Sequence, residues 1–270
     1  MKKRILTGAV LTIIVGLFVG FSHIPYVINA FSCILSCFCI YEVLRATEVI
    51  SKNSFYIVPF LLCAIISFAK IPYYIYIISV LFIINIIVFS IMMKKIDTFS
   101  LKEKYKSYLF SLYIPFAFKA LAEVRLEENG LFLLITTIVV TAFTDIFAHL
   151  CGTAFGKTKF IEKISPKKTI EGSLSGVFVT LAVSLILITI HSKCTSISIN
   201  YLYTTIFLIL LSLVGEFGDL SMSTIKRICG IKDYSNILPG HGGILDRFDN
   251  LLFTAPYVFI FTSAGSFALN

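Results

Sequence analysis

Apolar residues fill nine stretches of this chain, and short segments between them carry most of its charge. The stretches cover about 5–22, 24–44, 54–69, 71–93, 107–122, 130–150, 172–190, 200–220 and 250–269. A helix that crosses a bilayer needs about 20 predominantly apolar residues, so several stretches lie near the lower limit for a span. No long run alternates between apolar and polar positions as transmembrane β-strands do. The pattern predicts an all-α, polytopic integral membrane protein with about nine transmembrane helices.

Positive charge is distributed unevenly along this frame. If the N-terminus is cytoplasmic and the stretches alternate in direction, 19 of the 23 Lys and Arg residues fall on the cytoplasmic side. This asymmetry follows the positive-inside rule and predicts a cytoplasmic N-terminus. Two cytoplasmic loops, 151–171 and 221–249, are longer than topology requires, and such loops are where function usually lies. Residues 1–129 carry no motif that we recognise, so the catalytic region is expected within 130–270.

The composition excludes a soluble domain. The chain has 57% hydrophobic and 14% charged residues, with a mean hydropathy of +0.93, whereas soluble domains have about 45–50% apolar and about 25% charged residues. A net charge of +8 would suggest nucleic acid in a soluble protein. Here basic loops facing anionic lipid headgroups account for it, so no nucleic-acid partner is expected. The seven cysteines include no CxxC pair, and we interpret them as small buried hydrophobic residues rather than zinc ligands or disulfides.

The loop 221–249 concentrates groups suited to phosphates and hard cations. Glycines around His241 allow backbone N–H groups to approach an anion closely. Asp246 and Asp249 are three residues apart, so a helix beginning there would place both on one face, where they can bind a hard cation. A glycine-rich turn in an ion-paired loop would explain single residues, but it does not explain the whole set. The loop also supplies positive charge for phosphates, from Lys226, Arg227, Lys232 and Arg247.

Three of the acidic residues that lie inside apolar stretches or at their ends are functional candidates. Glu216 and Asp219 are three residues apart near the end of the eighth stretch, so they share a helix face. A carboxylate within a membrane needs a partner, which here would be a metal ion or a lysine. Asp145, in the sixth stretch, is a functional candidate for the same reason, and His149 four residues later could pair with it. Helix packing at a solvated helix end is the alternative interpretation for Glu216 and Asp219.

These segments resemble the signature of phosphatidate cytidylyltransferases, also called CDP-diacylglycerol synthases. The resemblance is carried by the whole of 223–249, including Lys226-Arg227, Lys232-Asp233, His241-Gly242-Gly243 and Asp246-Arg247-x-Asp249. The stretch Ser-Pro-Lys-Lys-Thr-x-Glu-Gly at 165–172 and the Gly-Asp pair at 218–219 are similar to the family as well. Taken alone, the Lys-Lys pair would be a topology signal. In motif the resemblance covers about the C-terminal half of the chain.

The resemblance implies a reaction and a set of roles. The reaction is CTP + phosphatidate → CDP-diacylglycerol + diphosphate, with Mg²⁺ and a second, monovalent cation such as K⁺. We expect Asp219 and Asp246 to converge on Mg²⁺, with Glu216 and Asp249 in reserve. Catalytic roles are expected for Asp219, Asp246, Lys226 and Arg247. Substrate-binding roles are expected for Ser165, Lys167, Lys168, Ser223, Arg227, Lys232, Asp233, Gly240, His241, Gly242, Gly243 and Asp145.

This chemistry agrees with the residues present. The phosphate of phosphatidate must attack the α-phosphorus of CTP, and because both groups are anionic, cations and in-line positioning lower the barrier. We therefore expect a polar cavity that opens to the cytoplasm and to the inner leaflet, with walls from spans six, eight and nine, in a bacterial inner membrane. A CTP-dependent polyprenol or dolichol kinase is one alternative, and a transporter of anionic substrates is another. The sequence leaves a homodimer open.

Overall fold

The computed structural model describes residues 2–24, 26–48, 57–94, 101–127, 129–195 and 199–264, with backbone alone for 2–6 and 101–107. The described residues form ten helices and one hairpin of two strands. The helices are α1 (Lys2–Phe21), α2 (Val27–Ala46), α3 (Ile57–Phe68), α4 (Tyr74–Lys94), α5 (Leu101–Leu126), α6 (Gly130–Phe155), α7 (Ile170–Thr195), α8 (Tyr201–Ile228), α9 (Leu245–Phe248) and α10 (Leu251–Ser263). The strands are β1 (Lys159–Ile161) and β2 (Ser165–Thr169), which pair antiparallel.

Each of the nine predicted stretches contains a helix, namely α1 to α8 and α10 in chain order. Parts of the third and ninth stretches, 54–56 and 265–269, lie outside the described residues. Within the described residues, five helices are long and apolar enough to cross a membrane: α2, α4, α6, α7 and α8. The chain is therefore a helical protein with membrane-spanning helices. The count of nine spans stays a prediction, because α3 has 12 residues and α10 has 13.

Two details of the predicted architecture were wrong. The loop expected at 151–171 contains the β1–β2 hairpin, so the fold is not purely helical. The loop expected to begin at 221 is helical as far as Ile228, which places Ser223, Lys226 and Arg227 on the last turns of α8. Hydropathy marks the point where a chain leaves an apolar environment, whereas a helix continues as long as its backbone hydrogen bonds are satisfied.

Helix α10 is buried in the aromatic core, and this packing positions the polar cluster described below. Phe253 is fully buried and lies between aromatic rings of α4, α5 and α8, with ring centroids 5.9 Å from Phe89 and 5.4 Å from Phe217. The start of α10 also approaches α8 closely. A Cβ atom on Gly218 would lie 3.2 Å from Cα of Asn250 and from the carbonyl oxygen of Asp249. Glycine at 218 thus brings the acidic end of α8 against the residues that precede α10.

Candidate active site

One lysine, Lys168, lies among acidic side chains of α6 and α8. The Nζ atom of Lys168, on β2, lies 2.5 Å from Oδ2 of Asp219 on α8. Asp249, which follows α9, lies close enough to Asp219 for the two carboxyl groups to interact electrostatically. On α6, Oδ2 of Asp145 accepts a hydrogen bond from Nδ2 of Asn250 at 2.5 Å. The structure therefore brings together four polar residues predicted from different segments, and it adds Asn250.

Asp145 does not pair with His149 as the sequence suggested, because Asn250 is its partner. Glu216 lies on the same face of α8 as Asp219, as predicted, and its Oε2 accepts a hydrogen bond from Ser173 at 2.5 Å. Two buried oxygen atoms, Oε1 of Glu216 and Oδ1 of Asn250, have no hydrogen-bond partner among the described residues. A buried oxygen without a donor is costly, so both atoms are suited to bind a cation.

Electrostatics in this cluster favour positive charge. Burial acts to lower the pKa of Lys168, but the carboxylates of Asp219 and Asp145 outweigh it and raise the pKa. Lys168 is therefore protonated at neutral pH. Burial, followed by the nearby carboxylate of Asp219, raises the pKa of Asp249 well above its usual value. The carboxylates outnumber the lysine that reaches them, and a cation would relieve their repulsion.

Asp246 is buried and lies outside this cluster. It organises the glycine-rich loop, residues 229–244, which connects α8 to α9. Its Oδ1 accepts a hydrogen bond from Nζ of Lys226 at 2.7 Å, and both side chains are buried. Its Oδ2 accepts two more, from the backbone N–H groups of Tyr234 and Gly243, each at 2.9 Å. Asp246 thus holds this loop of 16 residues against the end of α8.

The two aspartates expected to share Mg²⁺ therefore have different lysine partners. Asp219 faces Lys168, and Asp246 faces Lys226. In the described part of the chain, no three His, Asp or Glu residues bring their ligand atoms within 4.8 Å of one another. The carboxyl group that interacts with Asp219 is that of Asp249, which the sequence ranked as a reserve. Convergence of Asp219 and Asp246 on one ion stays a prediction.

Helix α1 also contacts the glycine-rich loop and helps to hold it in place. Gly240 and Gly242 have φ values of 81° and 84°, which side chains rarely adopt, so glycine permits this turn. Nδ1 of His241 lies 3.0 Å from Oγ1 of Thr7, whose hydroxyl donates to the carbonyl of Pro239 at 2.9 Å. In this structure the N–H of Gly243 donates to a carboxylate of the protein, so its predicted role toward a substrate phosphate is untested.

Glu42, on α2, is a site residue that the sequence analysis missed. Its side chain is fully buried, and Oε1 accepts hydrogen bonds from Oγ of Ser235 at 2.5 Å and from the N–H of Ile244 at 3.0 Å. Its Oε2 accepts from the N–H of Leu245 at 2.7 Å. A Cβ atom at position 243 would lie 2.6 Å from both carboxylate oxygens, so the approach of Glu42 requires Gly243. The available signal was a lone acid in the second apolar stretch, which is a functional candidate by default.

The remaining predicted residues surround this core. Arg247 is exposed, and its Nε donates to the carbonyl of His241 at 2.9 Å. Nε of Arg227 donates to the carbonyl of Ile164 at 3.1 Å, which ties the hairpin to α8. Ser223 is buried and Ser165 is half-buried. The other exposed members of the predicted set are Lys167, Lys232, Asp233 and Gly240.

A cavity of about 420 Å³ opens beside Asp246 and Arg247. Its inner wall is apolar and comes from α1, α2, α5 and α6, with Phe18, Phe31 and Leu35 among its residues. Its charged and amide side chains, which we call the rim, are those of Asp145, Asp246, Arg247, Asp249 and Asn250. Helix α6 and the start of α10 line the cavity, as predicted for the sixth and ninth stretches. The eighth stretch was expected to line it as well, but α1, α2 and α5 provide the remaining wall. A cavity with an apolar interior and a charged rim fits an amphipathic ligand.

Comparisons with known proteins identify the family of this chain. Residues 2–264 match the model of the Cytidylyltransferase family. The phosphatidate cytidylyltransferase of Bacillus subtilis (strain 168) is 32% identical over 276 residues, with 96% of each chain covered. The phosphatidate cytidylyltransferases of Staphylococcus saprophyticus and of Staphylococcus aureus (strain COL) are each 40% identical over 144 residues, which is 53% of this chain and 53% of theirs. The chain therefore belongs to the cytidylyltransferase family.

Proposed function

We propose that this protein is a phosphatidate cytidylyltransferase, which converts CTP and phosphatidate into CDP-diacylglycerol and diphosphate. The observation that carries the proposal is the cavity with an apolar interior, whose rim holds Arg247, Asp246 and Asp249. Acyl chains would occupy the interior, and the lipid phosphate would lie at the rim. Full-length similarity to the phosphatidate cytidylyltransferase of Bacillus subtilis supports this choice of reaction.

The chemistry required of the chain is mainly positioning. A phosphate monoester is largely ionised at neutral pH, so the attacking oxygen of phosphatidate needs no general base. Arg247 is suited to grip a phosphate with two parallel hydrogen bonds, because its guanidinium is planar and always charged. Lys168 and Lys226 would offset charge on the triphosphate. Holding the two phosphates in line supplies a large part of the rate enhancement.

The same rim implies a need for a cation. Carboxylates would repel both polyanionic substrates unless a metal ion lay between them. Mg²⁺ is usually held by one or two carboxylates together with substrate phosphates and water, so a cluster of three is not needed. Asp219 and Asp246 are the proposed ligands, with Asp249 and Glu216 in support, and the ion would polarise the α-phosphate. The unpartnered oxygens of Glu216 and Asn250 are suited to a monovalent cation such as K⁺.

Position-specific labelling of CTP tests the reaction against its alternatives. Purified protein in detergent is given phosphatidate and CTP labelled at the α- or the γ-phosphorus. A cytidylyltransferase moves the α-label into lipid and releases the γ-label as diphosphate. Transfer of the γ-label to an added polyprenol would instead indicate the kinase. If neither label reaches lipid in a preparation that remains folded, the proposed activity is wrong and a transporter becomes the better hypothesis.

Arg247→Lys is expected to lower kcat/KM at least about tenfold, because lysine keeps the charge but loses the bidentate geometry. Lys159→Ala and Lys163→Ala, which remove charges of the hairpin outside the motifs, should change kcat/KM less than about twofold. The measurement is the initial rate of CDP-diacylglycerol formation over a range of phosphatidate concentrations. Equal losses in all three variants would mean that only total positive charge matters.

We propose that the N-terminus and both motif-bearing segments are cytoplasmic, because CTP is a cytoplasmic metabolite that cannot cross a bilayer. Single cysteines at Thr158 and Asn236, in a cysteine-free background, report the side directly. Both positions are exposed, whereas the nearby Ser235 is buried against Glu42 and is unsuitable. An impermeant thiol reagent should label both cysteines in inside-out vesicles but not in intact cells. Labelling in intact cells would contradict this topology.

A further inference from the structure

Three cysteines from α2 and α3 gather their sulfur atoms in one place. Cys33 and Cys37 are one turn apart on α2, and Cys63 lies in the middle of α3. The Sγ atom of Cys63 is 3.7 Å from that of Cys33 and 3.7 Å from that of Cys37. All three sulfur atoms lie within 4.8 Å of one another. Among the described residues, this is the one group of three potential metal ligands that is so closely spaced.

These distances suit a metal bound by three sulfur atoms. At a metal–sulfur distance of about 2.3 Å, a planar three-coordinate ion separates its sulfur ligands by about 4.0 Å. The two separations that involve Cys63, 3.7 Å each, differ from that value by a few tenths of an ångström, and the third is no more than 4.8 Å. A disulfide has a sulfur–sulfur distance of about 2.05 Å, so either pair would have to approach by more than 1.5 Å. The arrangement is therefore much closer to a metal site than to a disulfide.

The donor set and its surroundings restrict the kind of ion. Thiol and thiolate donors select soft cations such as Cu(I), whereas Mg²⁺ and Ca²⁺ need oxygen ligands. Cys63 belongs to the buried apolar core, and Cys33 and Cys37 pack against the same core. Apolar surroundings favour the neutral thiol over the thiolate. A monovalent ion needs to displace only one proton, in the step RSH + M⁺ → RS–M + H⁺. The resulting complex of one thiolate, two thiols and one cation is neutral, as an apolar setting requires.

We propose that Cys33, Cys37 and Cys63 form a binding site for a soft monovalent cation, with Cu(I) as the natural class and Ag(I) as a redox-inert probe. Cys33 and Cys37 are half-buried and lie on the outer side of the site, and Cys63 closes it from the buried side. The bound ion would link α2 to α3. Because α2 also carries Glu42, the site is connected to the glycine-rich loop through one helix.

The test uses a parent protein that retains these three cysteines and carries Cys39→Ala, Cys151→Ser, Cys194→Ser and Cys229→Ser. Ag(I) and, without oxygen, Cu(I) are titrated against the detergent-solubilised parent in competition with a chelator of known affinity. We expect one ion per chain and a higher Tm with the ion bound. Cys63→Ser and Cys63→Ala should each weaken binding at least about 100-fold. X-ray absorption of the Cu(I) complex should give three sulfur neighbours at about 2.3 Å.

The control is Cys194→Ser in the otherwise native chain, which removes an exposed thiol and should leave the affinity for one Ag(I) unchanged. Size-exclusion profiles identify variants that have not folded, and the two different replacements at Cys63 guard against a local packing defect. Three independent weak ions per chain would overturn the proposal. Unaltered affinity in both folded Cys63 variants would overturn it, as would two sulfur neighbours instead of three.

Discussion

Asp219→Asn and Asp246→Asn are each expected to reduce the rate of CDP-diacylglycerol formation at least about 100-fold. Asp246 accepts hydrogen bonds from Lys226, Tyr234 and Gly243. An asparagine amide would turn a donor toward one of them. Removing one partner of a buried ion pair typically destabilises the fold by about 3–5 kcal/mol. The segment around Asp246 would therefore lose the geometry that catalysis needs. Asp219→Asn removes the charge that faces Lys168 and the proposed cation.

Magnesium concentration separates the roles of these two aspartates. If Asp219 is a metal ligand, high Mg²⁺ should restore part of the activity of Asp219→Asn by mass action. Asp246→Asn should recover less, because both oxygens of Asp246 also hold the loop. Glu162→Gln makes the same chemical change at an exposed acid of the hairpin and should keep near-normal activity. Near-normal turnover of either aspartate variant at ordinary Mg²⁺ would contradict the proposed site.

Glu42→Ala is expected to lower kcat by about 10- to 100-fold although position 42 contacts no proposed ligand. The change leaves the N–H groups of Ile244 and Leu245 without their acceptor, and each buried donor so abandoned costs about 1–3 kcal/mol. The glycine-rich loop and helix α9, which carries Asp246 and Arg247, would then lose their alignment. Glu42→Gln keeps one acceptor oxygen and should be intermediate. Steady-state kinetics and the Tm of each variant provide the measurement.

A double-mutant cycle with Gly243→Ala decides whether Glu42 acts through this loop. Alanine at 243 places a methyl group against the Glu42 carboxylate, so Gly243→Ala should be damaging in the native chain. In the Glu42→Ala background the carboxylate is gone, and the same change should cost little. If the two losses simply multiply, Glu42 does not position the loop. A fall in Tm with unchanged kcat would indicate a purely structural role.

Sequence patterns predicted the helices well, because membrane-spanning helices satisfy their own backbone and reveal their positions by hydropathy. The ends of helices were less predictable. Ser223, Lys226 and Arg227 are polar enough to resemble a loop, yet they complete the last turns of α8. The β1–β2 hairpin has eleven residues, too few for a periodic signal.

The motifs identified most residues of the candidate site but not their partners. Spacing predicted that Glu216 and Asp219 share a face, since both lie on one helix. It did not predict that Lys168 faces Asp219, because that contact depends on how the hairpin packs on α8. Glu42 escaped notice since its hydrogen-bond partners lie 193 to 203 residues further along the chain. Contacts over such separations arise from tertiary packing and leave no local pattern.

The contacts of Glu42 and Thr7 bear on how the protein is made. Helices α1 and α2 leave the ribosome before the loop that they support, which follows more than 190 residues later. During that interval the carboxylate of Glu42 has none of its eventual donors, so α2 stays incompletely packed until the loop has been synthesised. The chain is therefore not modular. A chimera that exchanged residues 1–129 for a foreign helical segment would have to supply an acid at the level of Glu42 before the grafted catalytic half could close its loop.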